Sequence, residues 1–293
     1  MAENTVSENT IPIVKKRVDI ENIIKNKNAR ILKILPRFIL NYLKKILHEN
    51  EINIILEKYK DVTGVDFVEG IIKELGVNIK VIYPENFSLT GRYIIASNHP
   101  LGGLDGLALM LTAGKMRKDI VFPVNDILLY LENLRPLFIP INKHGKNTEN
   151  IDIIEKTFAS DVAVLYFPAG LCSRKQKGKI IDLEWKNTFI KKAVRYERDI
   201  IPVFINGYNS NFFYNLANLR KKLGVKSNIE MLFLVDEMFK QQNNEISITF
   251  GKPISYKVFD KKVNSKKWAE LVKEHVYELE NNASKEFIPK GIL

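Results

Sequence analysis

From about residue 78 to residue 206, short runs of branched and aromatic residues alternate with helix-length segments. The pattern predicts strands near 78–83, 92–98, 119–124, 136–142, 162–168 and 200–206, with helices near 104–117, 126–132, 147–160 and 182–198 between them. Parallel neighbours need a crossover, and the crossover helices cover the faces of the sheet. The expected fold class is therefore α/β: a mostly parallel central sheet flanked by helices. Helical patterns near 19–30, 31–60 (interrupted) and 65–75 add an N-terminal helical segment. A helix near 213–223, strands near 229–235 and 245–251, and a helix at 265–282 complete the chain. The one boundary signal is Tyr83-Pro84, which divides a helical lead-in, 1–84, from an α/β domain, 85–293. A chain of 293 residues has room for one large domain with such an appendage.

Sheets of this kind carry their sites at the carboxyl ends of strands. There the strand Tyr93-Ile94-Ile95-Ala96-Ser97 runs into Asn98-His99-Pro100-Leu101-Gly102-Gly103-Leu104-Asp105-Gly106. Pro100 biases His99 toward extended backbone, so His99 ends the strand. Residues six apart on one continuous helix would face about 240° apart. The turn must fold back for His99 and Asp105 to meet, and Gly102-Gly103 supplies the dihedral freedom. Asp105 then falls near a helix N-terminus, which favours negative charge and whose N–H groups receive anions. Two readings fit: a general base with its orienting carboxylate, or a strand-to-helix turn with a capping Asp and a packed His. The chain has four histidines, His48, His99, His144 and His275, and His99 alone sits in such a setting.

Three further blocks follow. Leu134-Arg135-Pro136-Leu137-Phe138-Ile139-Pro140-Ile141-Asn142-Lys143 reads as a buried strand leaving into a basic loop. Val162-Ala163-Val164-Leu165-Tyr166-Phe167-Pro168-Ala169-Gly170-Leu171-Cys172-Ser173-Arg174 reads as a strand broken at Pro168. Ile200-Ile201-Pro202-Val203-Phe204-Ile205-Asn206 is another strand. The four blocks in this order resemble the glycerolipid (1-acylglycerol-3-phosphate type) acyltransferase superfamily. Five residues, rather than the usual four, separate His99 from Asp105. That wording, His-Pro-Leu-Gly-Gly-Leu-Asp-Gly, resembles a bacterial branch tied to amino-acid-containing lipids and to hemolysin-like labels. The resemblance implies an O-acyltransferase that moves a fatty acyl group from a thioester of acyl carrier protein or coenzyme A to a lyso-lipid hydroxyl. It implies His99 as general base and Asp105 as its partner. Substrate contacts are expected from Asn98, Gly102, Gly103, Lys143, Pro168, Ala169, Gly170, Ser173, Arg174 and Lys175, and oxyanion donors from N–H groups of the glycine turn or Gly170. Apart from the thioester co-substrate no cofactor is expected, and no Cys/His spacing suggests a metal.

The chain departs from that family where glycerol phosphate is usually held. Ala169 stands where a Glu is usual and Cys172 where an Arg is usual, and the second block ends in Asn142-Lys143. The departures favour a lyso-aminolipid acceptor, such as an N-(3-hydroxyacyl) amino acid, whose carboxylate would meet Arg174 or a nearby lysine. The alternatives are a lysophosphatidate acyltransferase and a catalytically inactive, membrane-associated lipid-binding protein.

Lys and Arg outnumber Asp and Glu by 45 to 34, a net charge of +11 that calls for an anionic partner. No nucleic-acid-binding signature is present. An anionic membrane surface and an acidic carrier protein fit the resemblance better. The run Ser173-Arg174-Lys175-Gln176-Lys177-Gly178-Lys179 is a basic loop, either solvated or a dock for a phosphate, carrier or headgroup. Ile31 to Leu47 sets Ile31, Leu32, Ile34, Leu35, Phe38, Ile39, Leu43, Ile46 and Leu47 among Lys33, Arg37, Lys44 and Lys45. This is a basic amphipathic helix, or two broken at Pro36, which lies in a membrane interface or packs on the core. Ile200 to Leu219 is uncharged but holds Pro202, Gly207 and five asparagines, so it is a poor bilayer span. A single cysteine and no signal-length apolar run near Met1 fit a reducing compartment, and the expected location is cytoplasmic, peripheral on the inner face of the cell membrane.

Overall fold

The computed structural model describes residues 18–124, 128, 131–140 and 148–289. Lys143 and most of the expected helix at 126–132 lie outside these residues. The chain forms two compact units, 1–60 and 61–293.

The first unit holds α1 (Ile20–Ile34), α2 (Arg37–Ile46) and α3 (Glu49–Lys58). The Asp19 carboxylate caps α1 by accepting the Asn22 N–H at 3.1 Å. Pro36 has no N–H to continue α1, and it becomes the N-cap of α2. Buried Glu49 accepts the Ile20 N–H at 2.9 Å, and Asn53 bonds both N–H and C=O of Val18, so α3 holds the start of α1. Leu40, Ile46 and Leu56 are buried. Ile31, Ile34, Phe38 and Tyr42 face outward, with Ile34 81% and Phe38 73% exposed.

The second unit is built on one sheet. Its strands are β1 (Asn78–Ile82), β2 (Tyr93–Ser97), β3 (Ile120–Val124), β4 (Phe138–Pro140), β5 (Ala163–Tyr166), β8 (Asp199–Asn206) and β9 (Glu245–Phe250). A separate hairpin joins β6 (Arg174–Gln176) to β7 (Lys179–Ile181). Among the described residues the sheet order is β1-β9-β8-β2-β5-β3-β4, and every pairing is parallel except β8 with β9. The helices are α4 (Gly64–Glu74), α5 (Leu104–Met116), α6 (Thr148–Ala159), α7 (Thr188–Arg195), α8 (Asn211–Lys222), α9 (Leu234–Phe239) and α10 (Ser265–Glu278). The fold is thus a mostly parallel sheet flanked by helices. All five residues of β1 pair with β9, Asn78 opposite Glu245, so α4 and β1 belong to the sheet unit. The division falls at 60/61, not at Tyr83-Pro84.

Successive strand residues face opposite sides. Ile94 and Ala96 of β2, Val164 of β5, and Ile200 and Phe204 of β8 join one core cluster with Phe189 and Ile190 of α7 and Trp268, Val272 and Val276 of α10. α5 is buried along its length from Leu104 to Gly114, as befits a helix with no polar face. From β5 the chain passes through the hairpin and α7 to β8, on the other side of β2. The carboxyl ends of β2 and β5 therefore lie at the switch point of the sheet, where such folds form their crevice.

Three expected elements differ. The segment 229–235 is a 3₁₀ turn (Ile229–Phe233) leading into α9, not a strand. Its buried residue is Glu230, held by Arg174 and Arg220, while Ile229 and Leu232 stay exposed. The helix expected over 182–198 is only α7, because Asp182 and Trp185 turn inward ahead of it. The basic run is a tight hairpin: Lys177 and Gly178 both have positive φ, +48° and +83°, as a two-residue mirror-image turn requires.

Arg198 is fully buried. It donates to the carbonyls of Phe158 (2.7 Å), Val162 (2.6 Å), Thr157 (3.1 Å), Tyr93 (3.3 Å) and Ser160. These are the open carbonyls at the end of α6 and the entries to β2 and β5, where a cation complements the helix dipole. Burial lowers its pKa to about 10, so it stays charged. Arg198→Ala strands several buried carbonyls at once. It is expected to lower unfolding free energy by about 3 kcal/mol or more, read by urea titration.

Candidate active site

The turn after β2 is organised by one carboxylate. Asp105, fully buried in the first turn of α5, accepts the Leu101 N–H at 2.8 Å and the Gly102 N–H at 3.1 Å on Oδ2. Its Oδ1 takes the Gly106 N–H at 2.8 Å. His99 Nδ1 lies 3.0 Å from the same Oδ2. The carboxylate thus curls the chain back on itself, and His99 and Asp105 meet. Gly102 has φ +85°, and a Cβ there would sit 2.7 Å from a Leu234 methyl. Gly103 has ordinary dihedrals, and its nearest neighbour would be Met238 Sδ at 3.8 Å.

The imidazole stacks on Phe167, just past β5, at 4.1 Å between ring centres and 15° between planes. Its side chain is 14% exposed. Burial pulls the His99 pKa down, but the Asp105 charge and hydrogen bond, helped by Asp182, outweigh burial and the nearby Arg174, so the net shift is upward. The main chain of His99 is held as well. Its N–H donates to Asp182 Oδ1 at 3.2 Å, and its carbonyl accepts the Ser173 N–H at 2.7 Å.

The third block forms the wall beside this dyad. Gly170, at φ +64°, closes a turn by donating its N–H to the Phe167 carbonyl at 3.0 Å. The Pro168 carbonyl accepts the Lys186 N–H at 3.0 Å, and Ala169 is buried in the core cluster. Ser173 Oγ donates to Asp182 Oδ1 at 2.6 Å.

Several residues expected to contact substrate are engaged elsewhere. Asn98 is buried and bonds the β8 backbone in both directions, to the Ile205 carbonyl at 2.9 Å and from the Ile205 N–H at 2.7 Å. It extends the β2–β8 pairing instead of facing a ligand. Arg174 turns inward: it reaches Glu230 at 2.8 Å and the Cys172 carbonyl at 2.6 Å and lies over the Phe213 ring. Its guanidinium is committed, which corrects the expectation that it meets an acceptor's carboxylate. The expected oxyanion donors are likewise taken. Leu101 and Gly102 serve Asp105, while Gly103 serves the Leu101 carbonyl and Gly170 that of Phe167. Lys175 is half-buried on the hairpin, with Lys177 and Lys179 exposed beside it. Burial pushes the Cys172 thiol up to about 11, so it is no nucleophile at neutral pH. No His/Cys/Asp/Glu cluster suited to a metal occurs among the described residues.

Sequence reading missed Asp182 and Phe167's stacking role. An acid between Ile180-Ile181 and Leu183 is the available signal, but it falls at the first residue of the helix expected over 182–198.

The two glycines of the turn separate cleanly. Gly102→Ala is expected to cost about 1–2 kcal/mol, because its backbone is left-handed. Gly103→Ala is expected to be neutral or stabilising by up to about 1 kcal/mol. Urea unfolding of the two variants distinguishes them.

The family model described as Acyltransferase matches residues 22–285. The lyso-glycine lipid O-acyltransferase of Bacteroides thetaiotaomicron is 47% identical over 264 residues, 89% of this chain and 97% of that protein. Its counterpart from Phocaeicola vulgatus is 46% identical over 264 residues, 89% of this chain and 95% of that one. A solved 1-acyl-sn-glycerophosphate acyltransferase, PlsC from Thermotoga maritima, aligns with 85% of this chain and 100% of its own at 18% identity and a TM-score of 0.42. With the family match running from within α1 to beyond α10, and two relatives near half identity, this chain belongs to the acyltransferase family and transfers acyl groups.

Proposed function

We propose that the enzyme esterifies the hydroxyl of a lyso-aminolipid, of the lyso-glycine lipid kind, with a fatty acyl group from a thioester. The 3.0 Å contact between His99 Nδ1 and Asp105 carries this reading. Asp105 fixes the tautomer with the proton on Nδ1, which leaves Nε2 to take the acceptor's hydroxyl proton. The oxygen attacks the thioester carbonyl, the C–S bond breaks, and the imidazolium returns its proton to the departing thiolate. A thioester is already activated, so no acyl-enzyme is required. The Phe167 stack holds the ring plane for this exchange. Ala169 and Cys172, where a Glu and an Arg are usual in glycerol-phosphate acyltransferases, support an amino-acid headgroup over a phosphate, as do the names of the two relatives. Lys175, Lys177 and Lys179 on the hairpin support an anionic donor, either acyl carrier protein or the phosphates of coenzyme A.

We further propose that the first unit seats the enzyme on an anionic membrane surface at the inner face of the cell membrane. No helix among the described residues is long and apolar enough to cross a bilayer. The outward Ile31, Ile34, Phe38 and Tyr42, flanked by Lys44 and Lys45, suit the headgroup boundary instead.

Acyl transfer to a purified panel of lyso-glycine lipid and lysophosphatidate tests the assignment: turnover of the first and none of the second is expected. His99→Ala should lose about 10² to 10⁴ in kcat while keeping a native circular dichroism spectrum; a folded variant at normal rate removes the base. The base must be neutral to work, so activity falls as pH drops through the raised His99 value. The acidic limb of the rate profile is therefore expected above the ordinary imidazole midpoint of about 6.5. Ile34→Glu with Phe38→Glu should abolish co-sedimentation with anionic vesicles and leave turnover of detergent-dispersed substrate unchanged.

A further inference from the structure

His99 is gripped at three places, and only one of them is Asp105. Its N–H donates to Asp182 Oδ1 at 3.2 Å, and the same oxygen accepts Ser173 Oγ at 2.6 Å. The Ser173 N–H donates to the His99 carbonyl at 2.7 Å. Both main-chain polar groups of His99 thus run to one fully buried carboxylate, directly or through Ser173. The other oxygen of Asp182 accepts Trp185 Nε1 at 2.8 Å. Three donors on its two oxygens hold this buried carboxylate in place. Its own main chain is anchored by α10. The Asp182 N–H donates to Tyr277 Oη at 2.8 Å, and Lys273 Nζ bonds the carbonyls of Asp182 and Leu183 at 2.6 and 3.0 Å.

We propose that Asp182 is a positioning residue for the His99 base, a second carboxylate that fixes the backbone of the histidine whose ring Asp105 orients. It rests on the reading of His99 as base. A dyad held only at the ring can rotate as a unit with its turn. A dyad held also at the main chain keeps Nε2 aimed at one point, and small misplacement of a base is costly in rate. The loop carrying Ser173 closes over the base through the same acid, so the wall of the site and the base share one anchor.

Asp182 also contributes charge. The groups facing His99 are Asp105 from α5, Asp182 from the segment before α7 and Arg174 from β6; the two acids favour the imidazolium and Arg174 opposes it. Lys273 and Tyr277 of α10 face Asp182 rather than the ring. Removing the Asp182 charge therefore moves the His99 midpoint down.

Asp182→Asn tests this with two readouts. In acyl transfer, kcat is expected to fall about tenfold or more, with KM for the lyso-lipid within about twofold. The acidic limb of log kcat is expected to move to lower pH. Independently of turnover, nuclear magnetic resonance titration of histidine-labelled protein, with His99 assigned by His99→Ala, should give a lower His99 midpoint in Asp182→Asn than in the parent. A folded Asp182→Asn enzyme with parental kcat overturns the proposal. So does a fall in kcat with both the limb and the resonance midpoint unmoved, which marks a merely structural acid. If transfer is absent from the parent while the resonance shift is present, the acyl-transfer reading has failed and the coupling stands. Should Asp182→Asn not fold, Ser173→Ala deletes the hydroxyl bridge and keeps the charge. It is expected to lower kcat severalfold with an unmoved limb, and parental kcat there overturns the proposal.

Discussion

A carboxylate without water must find donors, and Asp105 finds them in the turn that precedes it. Two N–H groups of that turn, one of its own helix and one imidazole nitrogen converge on its two oxygens. The result is both structure and chemistry. The anion stabilises a bend that would otherwise leave buried N–H groups unpaired, and the bend delivers His99 to the anion. The order of the sheet adds the rest: β2 and β5 are neighbours, so Phe167, the residue after β5, lies against the ring of His99, two residues past β2.

What the sequence revealed was local. The strand–helix alternation needs only periodicity within about a dozen residues, and it located β2, α5, β3, β5, β8 and α10 closely. The meeting of His99 and Asp105 was one of two readings that a six-residue spacing around two glycines left open, and only Gly102 of the pair carries a positive φ. What escaped was non-local. Glu230 lies 56 residues from Arg174, and their pairing turned an apolar-looking segment into a 3₁₀ turn and withdrew an arginine from the site. Asp182 lies 83 residues from His99 and sits where helix periodicity continued past the true start of α7. β1 found its partner 167 residues away, which no boundary signal at Tyr83-Pro84 reports.

Charge is distributed unequally between the interior and the surface. Inside, Arg174 and Arg220 both pair with Glu230, and Asp105 and Asp182 are surrounded by donors. The cations of the β6–β7 turn are instead exposed, next in sequence to the loop that walls the dyad.

The clamp at Arg198 sets how the molecule meets acid. A guanidinium and a set of peptide carbonyls have no proton to gain between about pH 4 and pH 8. The joint between α6, β2 and β5 is therefore indifferent to acidification over that range. The imidazole at the carboxyl end of β2 is not. With His99 as the proposed base, mild acid lowers activity while leaving the Arg198 joint intact.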